Sequence, residues 1–279
     1  MGNDRQKKIA MINDLSGYGR CSLTVAIPIL SAMGIQCCPV PTAILSNHTA
    51  FPVYFFDDYT DKMEAYAEKW MELGLSFDGI ATGFLGSRRQ IDIVMDLVER
   101  LRKENTKVIV DPVMGDDGVP YATYTEEMCE EMKRLVCMGD VVTPNVTEAC
   151  ILTGTSYKET GWTRRELLNM AMMLRLMGAR SVVITGVREG GFLTNVVLEQ
   201  GRQEAEFVKV KRTGTERPGT GDVFSSVVAG AVLNGEPLKH AVSRASRFVK
   251  DCIRRSDELE IPVSNGVCFE ELLGCLLKK

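Results

Sequence analysis

The segment at 217–226 holds the residues whose types and spacing are best suited to chemistry. Its sequence, RPGTGDVFSS, places Gly219, Thr220 and Gly221 directly before Asp222, and an apolar, helix-compatible run follows. Such a turn aims several backbone N–H groups at one point, at the positive end of a helix, which is how proteins bind phosphate. A carboxylate beside that point can take a proton from a hydroxyl that attacks a phosphoryl group. The simpler alternative is that Asp222 only caps the helix.

The composition is that of an ordinary globular protein. The chain has 279 residues, of which 45% are hydrophobic and 25% charged, and its formal net charge is −4 from 33 basic and 37 acidic residues. This mild acidity disfavours a general nucleic-acid surface. No apolar run reaches the length of a membrane span. We therefore expect neither nucleic acid nor membrane as a partner.

The cysteines indicate a reducing compartment. There are nine, an odd number, no two are spaced as C-x-x-C, and the first residues lack the pattern of a secretory signal. We therefore expect reduced, partly buried thiols and a cytoplasmic location. Because the sequence contains two histidines, His48 and His240, a zinc site built from Cys and His ligands is disfavoured.

Strand-like and helix-like segments alternate along the chain. This alternation predicts a mostly parallel sheet covered by helices on both faces. No Pro/Gly/Ser-rich linker interrupts it, so we expect one domain over 1–279. The predicted strands are 8–12, 36–41, 77–82, 107–111, 140–143, 181–185, 191–198 and 205–211, and the predicted helices are 22–33, 61–73, 90–103, 125–136, 163–177, 222–233 and 238–253.

Polar residues and glycines recur directly after the predicted strands. In parallel sheets, ligands bind beyond the carboxyl ends of the strands. The clustering of these residues at that edge therefore raises the expectation of function for all of them together. They are Asn13, Asp14, Thr42, Gly83, Asp111, Asn145, Glu148 and Gly186.

Six segments together resemble the ribokinase-like superfamily and, within it, the pyridoxal/pyridoxamine (vitamin B6) kinases. They occur in the family's order and cover nearly the whole chain. The resemblance implies a three-layer α/β/α sandwich. The segments are 13–19 (NDLSGYG), 45–49 (LSNHT), 82–87 (TGFLGS), 111–116 (DPVMGD), 143–148 (TPNVTE) and 219–222 (GTGD).

The resemblance implies ATP-dependent phosphorylation of a hydroxymethyl group on a pyridine ring. Asp222 would be the base that takes the hydroxyl proton. Gly219, Gly221 and the backbone between them would stabilise the charge on the transferred phosphoryl group. The expected ligands are therefore a B6 vitamer, ATP and Mg²⁺. The resemblance also implies a homodimer, and it leaves open whether a monovalent cation such as K⁺ assists.

Further residues match the family's nucleotide and metal positions. Asp111 and Glu148 would organise Mg²⁺ and the ATP phosphates, partly through water. Their alternatives are a turn at a strand end for Asp111 and a favourable helix-start charge for Glu148, and Asn145 can simply cap the same helix. The full set implied to bind ATP is Asp111, Asn145, Glu148, Thr185, Gly186, Gly219, Thr220 and Gly221.

The substrate positions implied by the resemblance are Asp14, Ser16, Thr42, His48 and Asp222. Many B6 kinases have Ser where this chain has Asp14, and the run at 14–17 resembles hydroxymethylpyrimidine kinases of thiamine synthesis. An acid there would favour the ammonium group of pyridoxamine, or it would only form a turn after the first strand. The His48 ring would close the pocket or bridge a subunit contact.

Two other functions remain open. One is a hydroxymethylpyrimidine kinase, which is disfavoured because some of those relatives have Cys where this chain has Asp222. The other is a non-catalytic protein that binds a B6 vitamer or a nucleotide, which the complete set of motif residues disfavours. The stretch at 116–124 lacks periodicity, and we interpret it as a flap over the nucleotide or an ordinary surface loop.

Overall fold

The structure, a computed structural model, describes residues 6–277. Nine strands form one sheet in the order β11-β10-β9-β8-β5-β4-β1-β2-β3, and β6 and β7 form a separate two-stranded sheet. The strands are β1 (Lys8–Ser16), β2 (Gln36–Leu45), β3 (Phe56–Asp58), β4 (Gly79–Thr82), β5 (Lys107–Val110), β6 (Gly115–Asp116), β7 (Val119–Pro120), β8 (Val141–Val142), β9 (Ser181–Glu189), β10 (Phe192–Leu198) and β11 (Glu206–Lys211).

The centre of the large sheet is parallel. Every pairing among β2, β1, β4, β5, β8 and β9 is parallel. The edges are antiparallel: β3 pairs with β2 on one side, and β10 pairs with β9 and β11 on the other. The mostly parallel sheet and the terminal strand pair predicted from the sequence are therefore confirmed.

Helices cover both faces of this sheet, which confirms the three-layer α/β/α architecture. Helices α2 to α6 pack on one face, and α1, α7 and α8 pack on the other. The helices are α1 (Ser22–Ala32), α2 (Thr60–Glu72), α3 (Arg88–Leu101), α4 (Glu126–Val136), α5 (Val146–Thr153), α6 (Arg164–Met177), α7 (Thr220–Leu233) and α8 (Leu238–Glu258), and two 3₁₀ turns follow at Val263–Asn265 and Glu270–Leu276.

Strand β5 shows how the sequence builds two cores. Val108 and Val110 belong to the core under α2 to α6, and Ile109 between them belongs to the core under α1, α7 and α8. Successive side chains of a strand point to opposite faces, so a strand covered on both sides must be apolar throughout. The two-sided burial explains why this run of consecutive apolar residues predicts a strand.

Several element boundaries differ from the sequence prediction. Strand β1 continues past Ile12 to Ser16, because its pairing with β2 resumes after a register shift between Asn13 and Leu15. The polar residues in this extension hide it from a hydrophobic pattern. The short strand β3 and the hairpin of β6 and β7, within the 116–124 region, were not predicted, because strands of two or three residues show no periodicity.

No helix within 6–277 is both long and apolar enough to cross a bilayer.

Candidate active site

A cleft of about 610 Å³ lies at the carboxyl ends of the central strands and the start of α7. It collects every residue that the sequence assigned to ATP, metal or catalysis. Asp14, Ser16, Thr42 and His48 do not line it and lie to one side, at the ends of β1 and β2. The predicted residues that line the cleft are Asp111, Asn145, Glu148, Thr185, Gly186, Gly219, Thr220, Gly221 and Asp222.

Strand alternation explains how side chains from separate strands reach this cleft. Ile109 of β5 and Val141 of β8 both face α7 and its neighbours. Two residues further on, Asp111 and Thr143 therefore face the same side. The hydrogen-bond ladder between β5 and β8 reaches this level, because the Thr143 N–H donates to the Val110 carbonyl at 3.0 Å. Thr143 is a cleft residue that the site prediction omitted.

The turn before α7 depends on glycine. Gly219 has a φ of 78°, and a Cβ there would lie 2.0 Å from the carbonyl oxygen of Arg20. A Cβ on Gly221 would meet nothing within 4 Å, so that position is open to the cleft. The Val223 N–H is the first to bond within the helix, to the Gly219 carbonyl at 3.0 Å. The preceding N–H groups of the first turn therefore have no intrahelical acceptor. They can donate to a bound anion instead.

Asp222 lies in this first turn and is partly buried. Asn13 donates from Nδ2 to Oδ1 of Asp222 at 3.3 Å, and the backbone N–H of Ser22 lies near this carboxylate. Burial, together with the charge of Asp14, raises the pKa of Asp222 from its ordinary value of 3.8 to about 6, against the opposing effect of these two groups. A pKa close to neutral pH suits a general base.

Asn13 was expected at the functional edge of the sheet, but no specific role was predicted for it. Its Oδ1 accepts from the N–H groups of Asp14 at 3.0 Å and Phe84 at 2.9 Å, while its Nδ2 holds Asp222. Gly83 must lack a side chain, because a Cβ there would lie 2.3 Å from the Asn13 amide nitrogen. The position of Asn13 after the hydrophobic part of β1 was the available signal. Its partner is 209 positions away.

The predicted substrate residues at the ends of β1 and β2 already have partners within the protein. The Asp14 carboxylate accepts from the hydroxyl of Ser16 at 2.8 Å and that of Ser22 at 2.5 Å. Burial raises the pKa of Asp14, and the two hydroxyls oppose this. The Thr42 hydroxyl donates to the Phe84 carbonyl at 3.1 Å. These bonds connect the end of β1 to the start of α1 and connect β2 to the segment after β4.

His48 makes contacts of a structural kind. Its Nε2 lies 2.8 Å from the Ser264 carbonyl, and its Nδ1 accepts from the Ala50 N–H at 3.3 Å. These bonds match the tautomer with its proton on Nε2. The ring packs against Phe51 with centroids 4.7 Å apart, and Gly19 has no room for a Cβ against it. His48 therefore fastens the 46–51 segment to the C-terminal region.

Asn145 and Glu148 form a capping box at the start of α5. Asn145 accepts the Glu148 N–H through Oδ1 at 2.9 Å, and Glu148 accepts the Asn145 N–H through Oε2 at 2.7 Å. The other Glu148 oxygen accepts from the Met114 N–H at 3.1 Å. Burial and the charge of Asp111 raise the pKa of Glu148 well above its ordinary value. Glu148 therefore caps α5 and also lines the cleft.

Asp111 has surroundings that suit a nearby cation. Burial and then the charge of Asp222 raise its pKa to about 7. The buried hydroxyl of neighbouring Thr143 has no geometrically defined hydrogen-bond partner within the described part of the chain. In that same part, no group of three or more His, Cys, Asp or Glu side chains could hold a metal by itself. These residues fit Mg²⁺ that keeps its waters and uses phosphate oxygens as further ligands.

Arg188 links three segments around the mouth of the cleft. Its guanidinium lies 2.9 Å from Asp117 in the β6–β7 hairpin, 3.5 Å from Glu159 and 3.0 Å from Glu216. The hairpin also attaches to α5, because the Gly118 N–H donates to the Thr147 hydroxyl at 2.9 Å. The 116–124 stretch is therefore held at one wall of the cleft. Nothing in the local sequence indicates these ion pairs.

The C-terminal region holds the turn before α7 and the loop opposite it. The Arg217 guanidinium bonds Asp257 at 2.8 Å and the carbonyl of Ile261 at 2.8 Å. Arg20, whose carbonyl packs against Gly219, pairs with Glu270 at 2.6 Å and bonds the Asn265 carbonyl at 3.1 Å. We call residues 257–270 the C-terminal clamp.

Sequence comparison matches most of the chain to known kinases. A model of the phosphomethylpyrimidine kinase family matches residues 27–266. A pyridoxine/pyridoxal/pyridoxamine kinase of Bordetella avium (strain 197N) is 30% identical over 261 residues, which cover 88% of this chain and 84% of that relative.

Solved structures agree with these matches. A protein of Bacteroides thetaiotaomicron VPI-5482, provisionally described as a phosphomethylpyrimidine kinase and crystallised with pyridoxal, is 40% identical, with a TM-score of 0.93 over 98% of this chain and 96% of that chain. The pyridoxal kinase of Lactobacillus plantarum is 27% identical, with a TM-score of 0.90 over 97% of this chain and 96% of that chain. The chain therefore belongs to the phosphomethylpyrimidine kinase family, a family of ribokinase-like phosphotransferases whose relatives include pyridoxal kinases.

Proposed function

We propose that the protein transfers the γ-phosphoryl group of ATP to the 5′-hydroxymethyl oxygen of pyridoxal, pyridoxamine or pyridoxine. The observation that carries this proposal is the position of Asp222. Its carboxylate lies between a cleft whose size suits a nucleotide and the polar residues at the end of β1, Asn13 among them. The relatives named as pyridoxine and pyridoxal kinases support this choice of substrate.

Asp222 has the surroundings of a general base for this reaction. Its carboxylate would take the proton of the vitamer hydroxyl as the hydroxyl oxygen bonds to the γ-phosphorus. The bond between that phosphorus and the oxygen bridging to the β-phosphate breaks, and ADP leaves. The free N–H groups from Thr220 to Asp222 would stabilise the negative charge of the transferred group. Gly221 leaves the necessary space.

The ATP phosphates would lie between the α7 turn and the wall formed by Asp111, Asn145 and Glu148. Thr185 and Gly186 line the same cleft from β9. Gly186 has a φ of 74°, and its N–H is held by Asn195 at 3.3 Å. We propose that this bend and the neighbouring Thr185 contact the nucleotide.

Asp111 and Glu148 would hold Mg²⁺ through its bound waters, and the ion would neutralise charge on the phosphates. We expect Glu148→Gln to raise the Mg²⁺ concentration for half-maximal rate by about 10-fold or more, because a neutral amide replaces a buried carboxylate near the ion. Asp111→Asn should act in the same direction. Initial rates over a magnesium titration at saturating ATP measure both effects.

Glu166→Gln is the matched control, since Glu166 occupies the same capping-box position at the start of α6 but does not line the cleft. A magnesium dependence unchanged in both Glu148→Gln and Asp111→Asn would leave these residues with structural roles alone.

The vitamer ring would bind at the ends of β1 and β2, beside Ser16, Thr42 and His48. Asp14 lies in the same region, next to Ser16. Because both of its oxygens accept serine hydroxyls, we expect Asp14→Ser to lower kcat/KM for all three vitamers together, by roughly tenfold. Steady-state kinetics on each vitamer measures this. A loss confined to pyridoxamine would instead indicate that Asp14 pairs with the substrate amine.

Hydroxymethylpyrimidine is the second candidate substrate. The description of the matching family and the DLSG run at 14–17 favour it. A coupled assay of ADP formation with pyridoxal, pyridoxamine, pyridoxine and hydroxymethylpyrimidine side by side tests the proposal. We expect the highest kcat/KM with a B6 vitamer. A higher value with hydroxymethylpyrimidine would reassign the substrate, and vitamer binding without ADP formation would indicate a non-catalytic protein.

We also propose that two copies associate through an apolar surface at the β3 edge of the sheet. Val53, Tyr54, Phe55 and Phe56 are exposed there, and Tyr18 is exposed in the 17–20 loop. Contiguous exposed apolar groups of this kind are typical of interfaces. Light scattering of the purified protein measures the mass of the particle, and a monomer at micromolar concentration would contradict a homodimer.

A further inference from the structure

Strand β9 contains a bulge where it passes the cleft. Its pairing with β10 shifts register between Thr194 and Val196. Two residues of β9 at this point, Thr185 and Gly186, therefore face the single β10 residue Asn195. An extra residue of this kind bends the strand and interrupts the hydrogen-bond ladder, and such bulges are frequent beside active sites.

The Asn195 side chain supplies a bond that the interrupted ladder lacks. Asn195 is 5% exposed, and its Oδ1 accepts from the Gly186 N–H at 3.3 Å. Its Nδ2 donates to the hydroxyl of Ser246 on α8 at 2.8 Å. That hydroxyl in turn donates to the Val242 carbonyl within α8 at 2.7 Å. Asn195 therefore ties the bulge to a helix on the other layer of the fold.

The segment before α5 holds the bulge from the opposite edge of β9. The Thr185 N–H donates to the Pro144 carbonyl at 2.9 Å, and Thr185 forms an isolated parallel bridge with Asn145. Asn145 begins the wall of the cleft that also contains Glu148. The bulge thus lies between this wall and Asn195, and all of these groups except Pro144 line the cleft.

We propose that Asn195 is a positioning residue for nucleotide binding, because its amide holds Thr185 and Gly186 in the arrangement that receives ATP. The inference rests on the proposed contact of these two residues with the nucleotide. Both ends of the Asn195 amide already bond within the protein. Asn195 therefore acts through the bulge and requires no contact with ATP.

The test compares Asn195→Leu with Thr194→Val. Leucine has nearly the shape of asparagine but neither donates nor accepts a hydrogen bond. Thr194 is the matched control, because it is the preceding residue of β10, is 4% exposed, and donates its hydroxyl to Glu189 of β9 at 2.8 Å. Its side chain points to the opposite face of the sheet and does not line the cleft.

The first measurement is hydrogen exchange of the Gly186 amide in the ligand-free protein, followed by NMR. Asn195→Leu removes the acceptor of this N–H, so its exchange should be at least about tenfold faster than in the wild type. Thr194→Val should leave the rate unchanged. Asn195→Asp keeps the acceptor oxygen and should keep the slow exchange.

The second measurement is calorimetric binding of a non-hydrolysable ATP analogue with Mg²⁺ and without vitamer. We expect Asn195→Leu to raise Kd about tenfold, because less of the protein holds the binding arrangement, and Thr194→Val to leave it unchanged. In steady-state kinetics the KM for ATP should rise similarly, while kcat at saturating ATP stays within about twofold. Ser246→Ala should act in the same direction with a smaller effect, and it tests the proposal if Asn195→Leu does not fold.

The outcomes separate this proposal from the proposed function. An analogue affinity that is unchanged in Asn195→Leu and Ser246→Ala, or weakened equally in Thr194→Val, would show that Asn195 does not position the nucleotide site. A wild type that binds the analogue but phosphorylates none of the vitamers would contradict the proposed function and leave the role of Asn195 in place. A wild type that does not bind the analogue would contradict both.

Discussion

Replacement of Asp222 by asparagine is expected to lower kcat by about 10²–10⁴-fold, the usual contribution of a positioned general base. Asparagine has nearly the same shape, so ATP and vitamer should bind almost as they do to the wild type. An amide cannot accept the hydroxyl proton under these conditions. Single-turnover rates, together with equilibrium binding of each substrate, measure the two effects separately.

Asp96→Asn is the control for the loss of a carboxylate, because Asp96 is an exposed acid paired with Arg100 on α3. Near wild-type turnover of Asp222→Asn, with both substrates bound, would remove Asp222 from the mechanism.

Asp222→Asn should be at least as stable as the wild type at neutral pH. The pKa of Asp222 rises from 3.8 in the unfolded chain to about 6 in the folded protein. The stabilisation linked to this raised pKa is fully present below about pH 4 and is lost as the pH rises through about 6. At pH 8 the wild type therefore carries the cost of a buried carboxylate. A melting temperature of Asp222→Asn equal to or above that of the wild type at this pH is the expected result.

Gly219→Ala should have the second large effect, on both stability and activity. An alanine at a φ of 78° costs about 1–2 kcal/mol, and its Cβ would lie 2.0 Å from the Arg20 carbonyl oxygen, a backbone atom that cannot simply rotate away. The turn must shift, and its N–H groups shift with it. We expect a fall in melting temperature of at least about 5 °C and a loss in kcat of about 10²-fold or more.

Gly221→Ala is the matched control for this variant. Its Cβ would meet nothing within 4 Å, so the melting temperature should stay close to that of the wild type. The new methyl group would project into the cleft and raise KM for ATP. Wild-type stability and turnover in Gly219→Ala would contradict the packing of this turn against the 19–22 loop.

Much of the fold could be predicted from local pattern. The apolar run of β5 and the capping box of Thr163 and Glu166 predicted their elements closely, because burial on two faces and helix capping each leave a signature within a few residues. The cleft residues Asp111 and Glu148 could be predicted because strand ends meet at one edge of a parallel sheet.

The remaining features depend on residues that are distant in sequence. Asn13 and Asp222 are 209 positions apart, and Arg20 pairs with Glu270, which is 250 positions away. No pattern in the neighbouring residues specifies such pairs. Thr42 and His48 stay predicted substrate residues, and nothing near them in the sequence indicated that Phe84 and Ser264 would be their hydrogen-bond partners.

The C-terminal clamp has a consequence for the order in which the protein becomes functional. Residues 257–270 follow every strand of the sheet in the sequence, yet they hold Arg20, His48 and Arg217 in place. During synthesis the sheet can therefore assemble on the emerging chain before these arginine and histidine contacts exist. Arg20 and Arg217 belong to the two segments that meet at Gly219, so we expect these segments to reach their final positions only after the clamp has been synthesised.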